Sequence, residues 1–309
     1  MIKAEKLTKR FGGHTALNEL SCTISDGSVY GLVGSNGAGK STLMRLIAGV
    51  YRPDGGSITI DDQPVFGNTA TLSRLVFVPD ELYFLPGASI SRMAELYRNV
   101  RGSVNEQRLN DLAALLELDT TRPIAQFSKG MKRQAATILA LACEPDVLLF
   151  DETFDGLDPV MRSTVKRIIV DDVMERKATV IITSHSLREL EDTCDQLALL
   201  HKGGLVLESD VVNLKTSLFK AQIAFNREFT REELAAAAQC EVLSFSKRGS
   251  VATAIMRGSR EDAEQRLRAM QPVLVDILPL SLEEVFVYEM EALGYEFNET
   301  LEGGINDEK

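Results

Sequence analysis

The apolar positions of this chain change rhythm along its length. From residue 2 to residue 65 they fall in short alternating or continuous runs: "IKAEKLTKRF", "LNELSCTISDGSVYGLVG" and "GGSITIDDQPV". A period of two broken at Gly12-Gly13, Asp26-Gly27 and Asp61-Asp62 predicts strands joined by turns. Between about residues 82 and 144 the period turns helical, in "ISRMAELYRNV", "EQRLNDLAALLEL" and "SKGMKRQAATILALAC". Strands return in "DVLLFDE", "ATVIITSH" and "QLALLHKGGLVLESD". A helical segment is thus inserted between β-rich halves, and strand–helix units typical of a parallel sheet follow it.

Past residue 214 the pattern shifts again. "KAQIAF", "REELAAAAQ", "EVLSFS", "VATAIM", "REDAEQRLRAM" and "VLVDILPL" alternate as strand, helix, strand, strand, helix, strand. That order predicts a small ferredoxin-like α+β domain over 215–293, with "SLEEVFVYEMEAL" as one more amphipathic helix. Residues 294–309 are acidic and glycine-bearing and are expected to be disordered.

Candidate chemistry sits at the first buried strand. Val29 to Val33 runs into Gly34, Ser35, Asn36, Gly37, Ala38, Gly39, Lys40, Ser41 and Thr42, and helical spacing follows through Leu43, Met44, Leu46 and Ile47. Glycines let such a loop turn its N–H groups onto phosphates, which a helix N-terminus also favours. Lys40 is expected to reach the β- and γ-phosphates, and the Ser41 hydroxyl to ligate Mg²⁺. Strand, complete motif and helix in this order mark a nucleotide loop.

Bulk properties narrow the partners. The net charge of −11 argues against a general nucleic-acid binder, which needs basic surface to neutralise phosphate. Cys22, Cys143, Cys194 and Cys240 are scattered and read as reduced thiols. No signal-like segment opens the sequence, and no apolar run reaches membrane-span length. A soluble chain is expected.

A second buried strand, Val147 to Phe150, ends in Asp151-Glu152. An aspartate at a strand end beside a phosphate loop can hold Mg²⁺, and the next carboxylate can activate a water. In "AQFSKGMKRQ", Ser128 reads as an N-cap, with Met131, Ala135, Ile138 and Leu139 on the apolar side of the helix it starts. Lys129, Lys132 and Arg133 crowd its positive end, which suits a phosphate there unless the face is merely solvated.

With the phosphate loop, "FSKGM", "VLLFDE", "FDGLD" and "ITSH" in this order, the chain resembles the nucleotide-binding subunit of an ABC transporter across residues 1–210. Kinases and GTPases share the phosphate loop but lack the Ser-x-Gly segment before the Asp-Glu strand. The resemblance implies an ABC-type P-loop NTPase fold, α/β with a helical insert, over 1–214. It implies that Phe11 stacks on adenine and that Gly34 to Thr42 cradle phosphates. Ser128 and Gly130 would bind the γ-phosphate of ATP held by the opposite subunit. Asp151 would lie on the Mg²⁺ side, Glu152 would be the catalytic base, and His185 the switch histidine. Gly156, Leu157 and Asp158 would cross the dimer interface.

Several positions depart from the family pattern. Leu-Ser-Gly-Gly-Gln is replaced by Phe127, Ser128, Lys129, Gly130 and Met131; Thr153 stands where proline is common, and Asp155 where serine is usual. After "LVFVP", Asp80 or Glu81 takes the place of a glutamine that touches Mg²⁺ in the family. Asp80 is therefore expected on the metal, unless the two acids are a surface pair.

The resemblance implies an ATPase that sandwiches two ATP molecules between two such subunits, homo- or heterodimeric. It would drive separate transmembrane permease subunits from the cytoplasmic face of the membrane, with the helical insert as the contact surface. Tails ending in a "LEEVF"-like helix occur in exporter ATPases for antimicrobial peptides and drugs; a dimer-stabilising appendage is the other reading. A regulatory or sensing complex, or another soluble non-transport complex, would use the same ATP switch.

Overall fold

The computed structural model describes residues 1–292; residues 293–309, with the expected acidic tail, lie outside the described part. Contacts divide the chain into one compact unit of residues 1–209 and a second from Asp210 onward.

In chain order the first unit opens with β1 (Ile2–Phe11), β2 (His14–Ile24), β3 (Val29–Val33) and α1 (Lys40–Ile47). β4 (Gly55–Ile60), β5 (Gln63–Pro64), α2 (Thr69–Leu72) and β6 (Leu75–Val78) follow. Three longer helices come next, α3 (Ile90–Arg101), α4 (Glu106–Leu115) and α5 (Lys129–Ala142). The unit ends with β7 (Val147–Phe150), α6 (Pro159–Arg176), β8 (Thr179–Ser184), α7 (Leu187–Leu190), β9 (Gln196–His201) and β10 (Gly204–Asp210).

Two sheets form from these strands. The first has the order β2-β1-β4-β5, and its β1 pairs antiparallel with both neighbours. The second has the order β10-β9-β3-β8-β7-β6, with β9, β3, β8, β7 and β6 parallel. Parallel strands covered on both faces read as continuous apolar runs, and β3, β7 and β8 are buried at every position. Leu7, Leu17 and Leu20 of the first sheet share one core with Leu32, Leu149 and Ile181 of the second and with Leu43, Met44 and Ile47 of α1.

The helical insert lies between β6 and β7. Ser89 caps α3 and Asn105 caps α4 by accepting from the amides of Arg92 and Arg108, and α3 ends on Gly102 in the left-handed region. α4 stops short of its apolar run, before Glu117, whose φ is +54°. α5 differs from the one-sided pattern expected of it. It is buried at every position from Arg133 to Ala142, because α3, α4 and β6 pack around it.

The second unit runs α8 (Val211–Ser217), β11 (Leu218–Ala224), α9 (Arg231–Ala238), β12 (Glu241–Arg248), β13 (Val251–Arg257), α10 (Arg260–Ala269), β14 (Leu274–Pro279) and α11 (Leu282–Ala292). Its sheet is antiparallel in the order β12-β13-β11-β14. Ala221, Ile223 and Ala254 of the sheet meet Leu234, Ala263 and Leu267 of α9 and α10 in its core. α8 packs on α11, so the division falls a few residues before the boundary at 214 read from the sequence.

Candidate nucleotide site

Ligands of open α/β sheets gather outside the carboxyl ends of parallel strands. Here those ends carry Gly34 after β3, Pro79-Asp80 after β6, Asp151-Glu152 after β7 and His185 after β8. Strand order therefore brings together residues far apart in sequence.

The loop after β3 is shaped by Gly39, the N-cap of α1, at φ +108°. A Cβ there would stand 2.6 Å from Leu17 Cδ2 and 2.9 Å from the Ala16 carbonyl, so the position admits only glycine. No side chain caps α1, which leaves its first amides to an anion. Lys40 is 6 % exposed; its Nζ donates to the Gly34 carbonyl at 2.5 Å and lies 3.4 Å from Glu152 Oε1.

Asp151 is fully buried beside this loop. Its Oδ1 accepts from Ser41 Oγ at 3.2 Å and from Thr183 Oγ1 at 2.7 Å, while Oδ2 has no partner. A buried carboxylate oxygen left unpaired is costly unless something else supplies positive charge. Glu152, at φ +50°, stands at the turn that leaves β7, and its amide donates to Thr183 Oγ1 at 2.9 Å. Its Oε2 lies 3.2 Å from His185 Nδ1. Ser41, Asp151, Glu152, Lys40 and His185 thus form one continuous cluster.

Ser128 and Gly130 stand elsewhere, at the start of α5. Ser128 Oγ caps the helix by accepting from Met131 N at 3.2 Å. Gly130 sits under the loop after β7: a Cβ on it would lie 2.9 Å from the Gly156 carbonyl. That loop has Gly156 at φ +75° and ends on Asp158, which caps α6 through the amides of Val160 and Met161, both at 3.0 Å. Lys129 Nζ lies 2.6 Å from Asp155 Oδ2 across the same contact. This hydrogen bond, with the charge of Lys129 behind it, holds the Asp155 carboxyl below the usual aspartate range.

Two expectations change here. Asp80 does not join the metal-side residues: its Oδ1 accepts from Arg133 Nη2 at 2.7 Å, and its backbone carbonyl accepts from Nη1 at 2.9 Å. Arg133 is 2 % exposed and needs a counter-charge, which Asp80 supplies. No cluster of three or more His, Cys, Asp or Glu residues fit for a metal occurs among the described residues. The cations at the start of α5 are likewise partly spent, Arg133 on Asp80 and Lys129 on Asp155. Phe11 is 44 % exposed at the end of β1, edge-on to Tyr51 with ring centroids 5.3 Å apart.

Thr183 has no role in the sequence reading although it stands inside "ITSH". A buried hydroxyl between two apolar strand residues and the histidine is the signal that could have raised it. The partners of Asp80 and Asp155 left no local signal at all.

The family model for ABC transporters matches residues 17–155. The chain is 30 % identical over 287 residues to the ABC transporter ATP-binding protein YtrB of Bacillus subtilis, covering 93 % of this chain and 97 % of that protein. It is 31 % identical over 222 residues to the bacitracin transport ATP-binding protein BcrA of Bacillus licheniformis, covering 70 % and 71 %. Among solved structures, the fold matches a dimeric post-hydrolysis state of the cassette MJ0796 bound to ADP and Pi. That match has a TM-score of 0.63 at 21 % identity and covers 68 % of this chain and 99 % of that one.

Proposed function

Since this chain belongs to the family of ABC transporter ATP-binding proteins, we propose specific roles for the cluster at its strand ends. The protein is an ATP-binding and ATP-hydrolysing transporter subunit. Gly34 to Thr42 take the phosphates, with Lys40 turning from Gly34 and Glu152 to the β- and γ-oxygens. Phe11, with its exposed face, stacks on adenine. Glu152 accepts the proton of the attacking water, and His185 holds it toward the γ-phosphate.

Mg²⁺ fits the site, because the unpaired Oδ2 of Asp151 faces no protein donor and the Ser41 hydroxyl lies on the same carboxylate. Asp151 and Ser41 would hold the ion, which neutralises phosphate charge when bound. The cluster at the strand ends, with that orphaned oxygen at its centre, carries the proposal.

Ser128 caps its own helix and Gly130 packs on Gly156, and neither takes part in the hydrogen bonds of the cluster, which supports a site completed by a second copy or a related ATPase. Two ATP molecules then glue the pair and hydrolysis opens it. The partners that use this motion are transmembrane subunits, docking on the helical insert, where Tyr83 and Val100 are among the most exposed apolar side chains. No described helix is long and apolar enough to cross a membrane itself. A peripheral position on the cytoplasmic face follows from such a partner.

The bacitracin relative leads us to propose export, of an antimicrobial peptide or a drug-like compound. The second unit is read as a ferredoxin-like accessory domain, on the strength of its strand order and its strand–helix–strand–strand–helix–strand sequence. One pair of variants tests the site. Glu152→Gln keeps nucleotide binding and lowers turnover by roughly 10²-fold or more, and with Mg-ATP it shifts the protein to a dimer on a sizing column. Lys40→Ala weakens nucleotide binding instead. Parental turnover in Glu152→Gln rejects the base assignment.

A further inference from the structure

Arg133 lies little more than a turn beyond Ser128 on α5, and it is the largest of the fully buried side chains. Among the described residues its guanidinium hydrogen bonds all go to one dipeptide just past β6, while its charge also reaches Asp155. Nη1 donates to the Pro79 carbonyl at 3.1 Å and to the Asp80 carbonyl at 2.9 Å, and Nη2 to Asp80 Oδ1 at 2.7 Å. Nε has no partner, so the remaining bonds must hold the buried charge. Asp80 opens the segment 80–88 that leads to α3 and bears the exposed Tyr83 and Leu85.

A planar guanidinium gripping two carbonyls and a carboxylate fixes orientation as well as distance. Only the Arg133 end of the grip is buried, and Asp80 is half-exposed, so salt screens it in part, though less than the Lys129–Asp155 pair, whose side chains are 69 % and 43 % exposed. We infer that the Arg133–Asp80 ion pair straps the segment after β6 to the helix carrying Ser128, so that the two shift together. Arg133 is then a positioning residue for the shared nucleotide site, and Asp80 serves this strap in place of a metal. The effect on turnover rests on the reading of Ser128 given above; the strap itself does not.

The test uses Asp80→Asn, which keeps both backbone acceptors and removes the charge, and Asp80→Glu, which keeps the charge. Asp80 is half-exposed, so neither change buries a new group. Hydrogen exchange of the full chain without nucleotide reads the strap directly. Asp80→Asn is expected to speed exchange about tenfold in both 80–88 and 128–133, with Asp80→Glu restoring protection. In ATPase assays Asp80→Asn should lower kcat about threefold or more at unchanged KM for ATP, and Asp80→Glu should recover it. Arg133→Lys, which keeps charge but not the fork, should loosen both segments as well. Exchange that quickens in 80–88 alone overturns the strap. Loosening of both segments with parental kcat overturns the positioning role. A Ser128 variant without effect on dimerisation would undo the shared-site reading while the exchange result stood.

Discussion

Thr183 and Asp151 share a hydrogen bond of 2.7 Å, and the same threonine oxygen accepts the Glu152 amide at 2.9 Å. One buried hydroxyl on β8 therefore holds the Asp151 carboxylate and the Glu152 backbone at the end of β7. The neighbouring strand thus aims the Asp151 carboxylate, whereas the Glu152 carboxylate lies against Lys40 and His185.

Thr183→Val preserves volume and removes that hydroxyl. The Glu152 amide and one bond to Asp151 Oδ1 are then lost in a buried setting, which costs about 1–3 kcal/mol. Urea melts should show that loss, and ATP turnover should fall about tenfold because the Asp151 carboxylate and the backbone that carries Glu152 are freed to shift. Thr183→Ser restores the oxygen and should recover most turnover. Parental activity in Thr183→Val would remove the residue from the site.

The parts of the site written in contiguous residues were legible in the sequence. Val29 to Thr42 are a strand, a loop and a helix start in one stretch, so pattern and chemistry coincide. Asp151 and Glu152 follow an apolar run whose burial in a parallel sheet fixes where the strand ends. The pairs Arg133–Asp80 and Lys129–Asp155 lie 53 and 26 residues apart, and nothing local announces them. Cations at a helix N-terminus suggested an anionic ligand, since the dipole disfavours them there. The structure answers that need largely with carboxylates of its own. Ala135, Ile138 and Leu139 are buried as their spacing predicts, but α5 buries its other faces too. Packing by α3, α4 and β6 buries even Gln134 and Thr137, which no hydrophobic period reveals.

Gly130→Ala tests the contact between the start of α5 and the loop after β7. The new Cβ would lie 2.9 Å from the Gly156 carbonyl, tight enough that one backbone must give. Nucleotide binding to a single chain should be unchanged, since Gly130 has no side chain in the cluster of Lys40, Ser41 and Asp151. ATP-driven dimerisation in the Glu152→Gln background should weaken, and Ser128→Arg in that background should abolish it by crowding the opposite phosphate. A parental dimer peak for the Ser128 variant on a sizing column would sink the shared site.

The four cysteines differ in access. Cys22, Cys143 and Cys194 are buried, and Cys240 is partly exposed. Burial pushes the Cys22 thiol up to about 12 and raises Cys194 as well, so neither offers thiolate near neutral pH. Burial also raises Cys240, but only access distinguishes it in kind. At pH 8 a chromogenic disulfide reagent should label one thiol promptly and the other three only after unfolding. Cys240→Ser should abolish the prompt phase; its persistence would show that another thiol opens to solvent.

The Lys129–Asp155 pair gives a pH signature that can be worked out in sign. The hydrogen bond from Lys129 lowers the Asp155 carboxyl from an ordinary value of 3.8. A carboxylate depressed in the folded state adds stability above its unfolded value and loses it as pH falls through the folded one. The contribution is therefore level through neutral pH and fades only below the ordinary aspartate range. Because both side chains are substantially exposed, it should amount to less than about 1 kcal/mol. Urea melts of the parent and of Asp155→Asn should differ by a constant small amount from about pH 5 to pH 8. That difference should shrink toward zero by about pH 2, and also at pH 7 in about 1 M salt, where screening reaches a few ångströms. A difference that grows on acidification would mean that Asp155 is stabilised in its protonated form, contrary to the pair with Lys129.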